Sequence, residues 1–191
     1  MNLPNKLTVA RIIATPIFML TMLLDFPGHY FVALVIFILA SLTDLLDGKI
    51  ARKRGLVTDF GKFLDPLADK MLTTAAYLGL IAANACPGIT WIVFIVLFRE
   101  FMITSLRLVA VQNGTVIAAN MWGKAKTVCQ MVAIIVTLFI AALVTVFNLP
   151  ALVLNIFMII ITLLLWASAV LTVISGVVYM VQNKSAFLSS K

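Results

Sequence analysis

Charge is what this 191-residue sequence has least of: 11% of its residues are Asp, Glu, Lys or Arg, against 63% hydrophobic ones. A water-soluble domain of this size cannot bury that much apolar surface, so a soluble fold is excluded and lipid must solvate the chain. Cysteine is nearly absent as well. Cys86 and Cys129 stand far apart, which excludes a disulfide framework or a cysteine metal knuckle and leaves two free thiols. The single histidine, His29, excludes any histidine-rich metal centre. Alternation of polar and apolar residues is missing from the long apolar runs, which excludes the strands of a membrane barrel. A net charge of +7 would suit a nucleic-acid partner, but in so apolar a chain it is a membrane-orientation signal, and no nucleic acid is expected.

What is present is a series of six apolar segments, 7–24, 30–50, 60–83, 90–111, 126–147 and 151–181. Turn chemistry breaks them at "DFPGH" (25–29), "NACPG" (84–88), "QNG" (112–114) and "NLP" (148–150). The expected fold is an all-α integral membrane protein of six transmembrane helices, a single domain over 1–191. Lys6 and Arg11 precede no small-residue cleavage site, so the first segment is expected to be retained as a span. Lysines and arginines fall at the start, between spans two and three, around the fourth-to-fifth connection and at the end. The alternate connections at 25–29, 84–89 and 148–150 have none. This positive-inside pattern places both termini in the cytoplasm of a cell whose cytoplasmic membrane holds the protein.

Five of the seven acidic residues lie in one stretch, Asp44 to Lys70, "DLLDGKIARKRGLVTDFGKFLDPLADK". Strictly apolar sequence covers only 31–43 before it and 71–83 after it. Thirteen residues rise about 20 Å as a helix, against a hydrocarbon core of roughly 30 Å. Each helix must therefore take its aspartate-bearing turns toward the cytoplasmic leaflet, where an unpaired carboxylate costs several kcal/mol. Asp44 and Asp47 are three apart, and Asp65 and Asp69 four apart, so each pair shares one helix face. Leu72, Ala75, Gly79 and Ala82 continue the second face with mainly small residues that let another helix approach. Pro66 is expected to kink the third helix or open it locally. Four oxygen ligands converging at one depth suit a hard divalent cation, magnesium or manganese, with two ions expected. Such ions would offset the carboxylate charge and clamp a diphosphate.

From Asp44 to Asp69 the stretch fits D-x-x-D-G-x-x-A-R-x8-G-x-x-x-D-x-x-x-D at every fixed position. It resembles the signature of the CDP-alcohol phosphotransferases, whose six-span layout is also similar. The resemblance implies transfer of a phosphatidyl group from a CDP-linked lipid to an alcohol, with release of CMP. It assigns Asp44, Asp47, Asp65 and Asp69 to the metals, Asp69 also to the role of general base, and Gly48, Ala51, Arg52 and Gly61 to the nucleotide. A homodimer is the expectation it carries for assembly.

The acceptor must be read outside the signature. Arg99 and Arg107 lie eight apart on the fourth span, and Lys126 opens the fifth. With Lys62 they form an excess of cations suited to a phosphate-bearing acceptor. The pieces "PNKLT", "LDPLADK", "RE" and "GKAKT" resemble the bacterial phosphatidylglycerophosphate synthase branch, which implies CDP-diacylglycerol and glycerol 3-phosphate as substrates. Other acceptors, of the cardiolipin synthase or phosphatidylinositol phosphate synthase type, remain open. So does a divalent-cation transporter, although the uncharged outward halves of the spans speak against a through-path. Asn5, Thr8 and Lys124 are candidates for the cavity mouth, with helix capping and snorkelling as competing roles. Asp59 is read as a helix cap, Arg99 and Glu100 as a potential structural pair, and the three tryptophans as interface or packing residues.

Overall fold

The computed structural model describes residues 3–54, 59–112 and 121–184, and within them leaves undescribed the side chains of 3–4, 44–54, 59–63, 65–66, 69 and 112. Six helices follow in order: α1 (Leu3–Leu23), α2 (His29–Arg54), α3 (Asp59–Ala82), α4 (Ile89–Gln112), α5 (Met121–Val146) and α6 (Ala151–Gln182). Among the described residues there is no strand. The chain is all-α, as its apolar runs require.

Among the described residues, three helices are long and apolar enough to cross a membrane: Asn5–Leu23, Met121–Val146 and Ala151–Gln182. The apolar parts of α2 and α3 are shorter, His29–Thr43 and Lys70–Ala82. Both helices continue into their aspartate-bearing turns, as the length comparison demanded. Helices also begin earlier or end later than the apolar runs, α1 at Leu3, α5 at Met121 and α2 at Arg54. Polar and basic residues there are good helix formers, so hydrogen bonding outlasts the hydrophobic segment. The turn expected at 112–114 lies largely outside the described residues.

The chain divides into two compact units, Met1–Ala85 with Ile134–Phe157, and Cys86–Ala133 with Met158–Lys191. In the first, α1 packs against both α2 and α3, and α2 also touches α3. Phe18 meets Phe37 with ring centroids 5.8 Å apart. Gly79 lets α3 close on α1: a Cβ there would lie 2.9 Å from the Met22 side chain. Leu72 and Ala75 are buried on the same face, whereas Ala82 is exposed at the helix end. Hydroxyls inside the helices bond backward to their own carbonyls, Thr15 to Arg11 at 2.9 Å, Thr21 to Phe18 at 2.7 Å and Ser41 to Phe37 at 2.7 Å. In lipid no water would satisfy them.

Two of the expected turns use left-handed glycines, Gly28 at φ 78° and Gly88 at φ 77°. His29 ties the first turn back to α1 by donating from Nδ1 to the Thr21 carbonyl at 3.0 Å. In the second unit a Cβ on Gly88 would stand 3.0 Å from Cζ2 of Trp166, whose indole N–H reaches the Pro87 carbonyl at 3.4 Å. Trp166 is thus a packing residue. Replacing Gly88 by alanine forces both a left-handed alanine and a ring displacement. The expected outcome is a loss of about 2 kcal/mol, read as a fall in the thermal unfolding midpoint of the detergent-solubilised protein. Cys86, in the same turn, is buried and free, and burial pushes its thiol pKa up.

Large apolar side chains cover the outside, among them Trp91, Phe101, Leu152 and Leu163, each roughly two-thirds exposed or more. A soluble protein would not show so many. They are the lipid-facing surface of an integral membrane protein.

Candidate active site

The two acidic faces sit on a helical hairpin. Four residues, 55–58, connect Arg54 to Asp59, so short a link that α2 and α3 must run antiparallel as packed neighbours. Helical register then sets their depths. Asp44 lies ten residues before the end of α2, and Asp69 ten residues after the start of α3. At 1.5 Å per residue each is about 15 Å from its helix end. Asp47 and Asp65 are seven and six residues in, about 10 Å and 9 Å. Counted from the helix ends at the hairpin, positions 44 and 69 lie equally far in, and positions 47 and 65 nearly so. Gly48, Ala51 and Arg52 follow in the last turns of α2, and Gly61 and Lys62 in the first turn of α3. The side chains of all these residues, and of Pro66, lie outside the described ones. α3 itself runs unbroken through Pro66.

The donor set fits a hard divalent cation by its chemistry: four carboxylates, with no histidine or thiol beside them in sequence. His29 opens α2 fifteen residues before Asp44, about 22 Å along the axis. Among the described residues no group of three or more His, Cys, Asp and Glu could hold a metal ion.

On α1 a buried polar stripe, Asn5, Thr8, Arg11 and Thr15, follows helical spacing. Asn5 and Thr8 are thus interior residues of α1, while Lys124 on α5 is exposed.

The second unit holds the other cations. Arg99 donates from Nη1 to the Glu100 carboxylate at 3.2 Å and from Nη2 to the Ser175 hydroxyl at 2.8 Å. Lys126, only 4% exposed, pairs with the same Glu100 oxygen. Arg107 is exposed, donates from Nε to the Tyr179 hydroxyl at 3.2 Å and lies over that ring, 5.4 Å from its centroid. The structure brings Arg99 and Lys126 together on one carboxylate and sets Arg107 near the same face of α6. One negative charge faces two positive ones in the triad, so a cationic excess persists.

Three residues of this network were not singled out as functional by sequence: Glu100, Ser175 and Tyr179. The signal was there in α6, where Ser168, Thr172, Ser175 and Tyr179 recur at intervals of four, three and four and are all buried. Gln130 of α5 donates to Thr172 at 3.2 Å, extending the polar face. In a 32-residue helix this apolar, four polar residues on one side mark a protein-facing stripe.

A family model described as CDP-alcohol phosphatidyltransferase matches residues 1–181. The chain belongs to the CDP-alcohol phosphatidyltransferase family. Its signature therefore has an assigned context, the α2–α3 hairpin, and the family's name makes it an enzyme of phosphatidyl transfer. It is 42% identical to a Bacillus subtilis protein named CDP-diacylglycerol–glycerol-3-phosphate 3-phosphatidyltransferase, over 99% of this chain and 98% of the relative. A Rickettsia bellii protein of the same name is 34% identical over 97% of each chain. One from Haemophilus influenzae is 35% identical over 77% of this chain and 89% of its own. The resemblance seen in the signature alone extends to the whole family member.

Proposed function

We propose that this phosphatidyltransferase moves the phosphatidyl group of CDP-diacylglycerol onto glycerol 3-phosphate, giving phosphatidylglycerol phosphate and CMP. The observation that carries the reading is full-length similarity to relatives named for that acceptor, with 42% identity to the Bacillus subtilis protein. The cation excess around Glu100 supports the phosphate-bearing acceptor on independent physical grounds.

Asp44, Asp47, Asp65 and Asp69 would hold Mg2+ or Mn2+, two ions by expectation. When bound, these ions neutralise the diphosphate and polarise the acceptor hydroxyl. Asp69 takes the proton of that hydroxyl as its oxygen bonds to the phosphorus bearing diacylglycerol. The bridging P–O bond breaks, and CMP leaves with the electron pair. Gly48, Ala51 and Gly61 leave room for the flat base and ribose, and Arg52 belongs with them to the nucleotide. Lys62, Arg99, Arg107 and Lys126 bind the acceptor phosphate, with Asn5, Thr8 and Lys124 toward the mouth. The protein acts as one domain of six spans in the cytoplasmic membrane, termini and active site on the cytoplasmic side, as a homodimer. The donor's acyl chains then stay in the bilayer while its headgroup enters the site.

An acceptor panel tests this. Purified protein with CDP-diacylglycerol and Mg2+ should release CMP at least about a hundredfold faster with glycerol 3-phosphate than with glycerol, because cations built for a phosphate gain nothing from a neutral alcohol. Faster release with an inositol phosphate or with phosphatidylglycerol would reject the acceptor and keep the reaction class.

A further inference from the structure

Glu100 is the one acidic residue in the chain beyond Asp69. It sits between two cations from different helices, Arg99 beside it on α4 and Lys126 on α5, and both use its Oε1 atom. The guanidinium is braced from the other side by Ser175 of α6. Its stem lies on Gly176, where a Cβ would come 3.2 Å from Arg99 Cγ. Arg99 Nε is buried and has no hydrogen-bond partner among the described residues. A cation fixed at both ends, with a donor still unused, is held in one geometry. Two positive charges this close repel unless something negative lies between them. A carboxylate joining two helices does more than neutralise: it sets where the charges stand.

We propose that Glu100 is a positioning residue, bridging α4 to α5 so that the Arg99 guanidinium and Lys126 ammonium stand together for the acceptor's phosphate, with Ser175 and Gly176 of α6 forming the seat of Arg99. This rests on the reading that the acceptor carries a phosphate. Glu100 does not touch the reacting atoms, so its loss weakens acceptor binding and spares the chemical step. The opposing possibility is that its negative charge merely competes with the phosphate, in which case removing it would tighten binding.

The test is a pair of variants, Glu100→Gln and Ser175→Ala, assayed by CMP release over titrations of glycerol 3-phosphate and of CDP-diacylglycerol. Glu100→Gln keeps the shape and one acceptor oxygen but removes the charge. Ser175→Ala removes one hydrogen bond to the guanidinium, leaves every charge in place and so gives a second reading should Glu100→Gln fail to fold. The expected result is a rise of about tenfold in KM for glycerol 3-phosphate in Glu100→Gln and about threefold in Ser175→Ala. In both, kcat and KM for CDP-diacylglycerol stay within about twofold, and Glu100→Asp recovers part of the loss. An unchanged or lowered KM for glycerol 3-phosphate in both variants overturns the proposal, as does an equal rise in both substrates' KM. Wild-type turnover separates the two levels: if glycerol 3-phosphate drives CMP release normally, an unaltered variant KM defeats the positioning role alone. If wild-type protein turns over only with unphosphorylated alcohols, the functional reading fails and the positioning role with it.

Discussion

Replacing Asp69 by asparagine is expected to lower CMP release by about a thousandfold, with the thermal unfolding midpoint of the metal-free protein unchanged or raised. Asparagine matches the shape of aspartate but cannot take up the acceptor's proton, and it is a poorer metal ligand. Stability should not fall, because the substitution removes one of four carboxylates whose mutual repulsion the protein must otherwise offset. A position in the same helix supplies the control. Asp59 is the first residue of α3, ten positions before Asp69. Asparagine caps a helix about as well as aspartate, so Asp59→Asn should leave turnover near the wild-type rate. Equal losses in both variants would mean that general disturbance of α3, and not the chemistry of Asp69, limits the reaction.

Stripping divalent cations with a chelator is expected to reduce turnover to background, and Mg2+ or Mn2+ to restore it. Four aspartates gathered in the C-terminal half of α2 and the N-terminal half of α3 are costly in the absence of counter-charge. Two carboxylates 4 Å apart repel by about 4 kcal/mol at an effective dielectric of 20. Bound ions reverse that sign. A hundredfold excess of ion over its Kd would add about 2.7 kcal/mol to stability, so the unfolding midpoint should rise with metal in wild-type protein and much less in Asp69→Asn. Zn2+ should restore activity poorly, since the site offers oxygen and lacks the nitrogen and sulfur ligands that zinc prefers. Full turnover in chelated protein would leave the four aspartates without a shared role.

The fold was legible to the extent that hydrophobicity dictates it. Six apolar runs became six helices, and α2 and α3 continue past their short apolar parts through the aspartate-bearing turns. Helix ends were misjudged at Leu3, Met121 and Arg54 because solubility in lipid and helical hydrogen bonding stop at different residues. The carboxylate spacing was readable because a fixed interval on a helix is a geometric statement, while the side chains that would meet there lie outside the described residues. The cation network was only half readable. Arg99, Arg107 and Lys126 stand out as charges in an apolar chain, but what the two arginines touch depends on which face of α6 turns toward them, and Lys126 finds its partner on α4. Ser175 and Tyr179 look like ordinary substitutions in a greasy helix until their spacing is set beside those arginines. Glu100, adjacent to Arg99, suggested a simple local pair; its second partner lies 26 residues away and no local pattern reveals it.

Titration of the protein with Mn2+, followed by the loss of the free ion's paramagnetic resonance signal, tests most directly whether α2 and α3 build one metal centre. Wild-type protein should take up about two ions per chain, and Asp44→Asn, Asp47→Asn, Asp65→Asn and Asp69→Asn should each weaken that uptake, since all four carboxylates serve the same centre. Uptake unaffected by substitutions on one of the two helices, or absent from the wild-type protein, would contradict it.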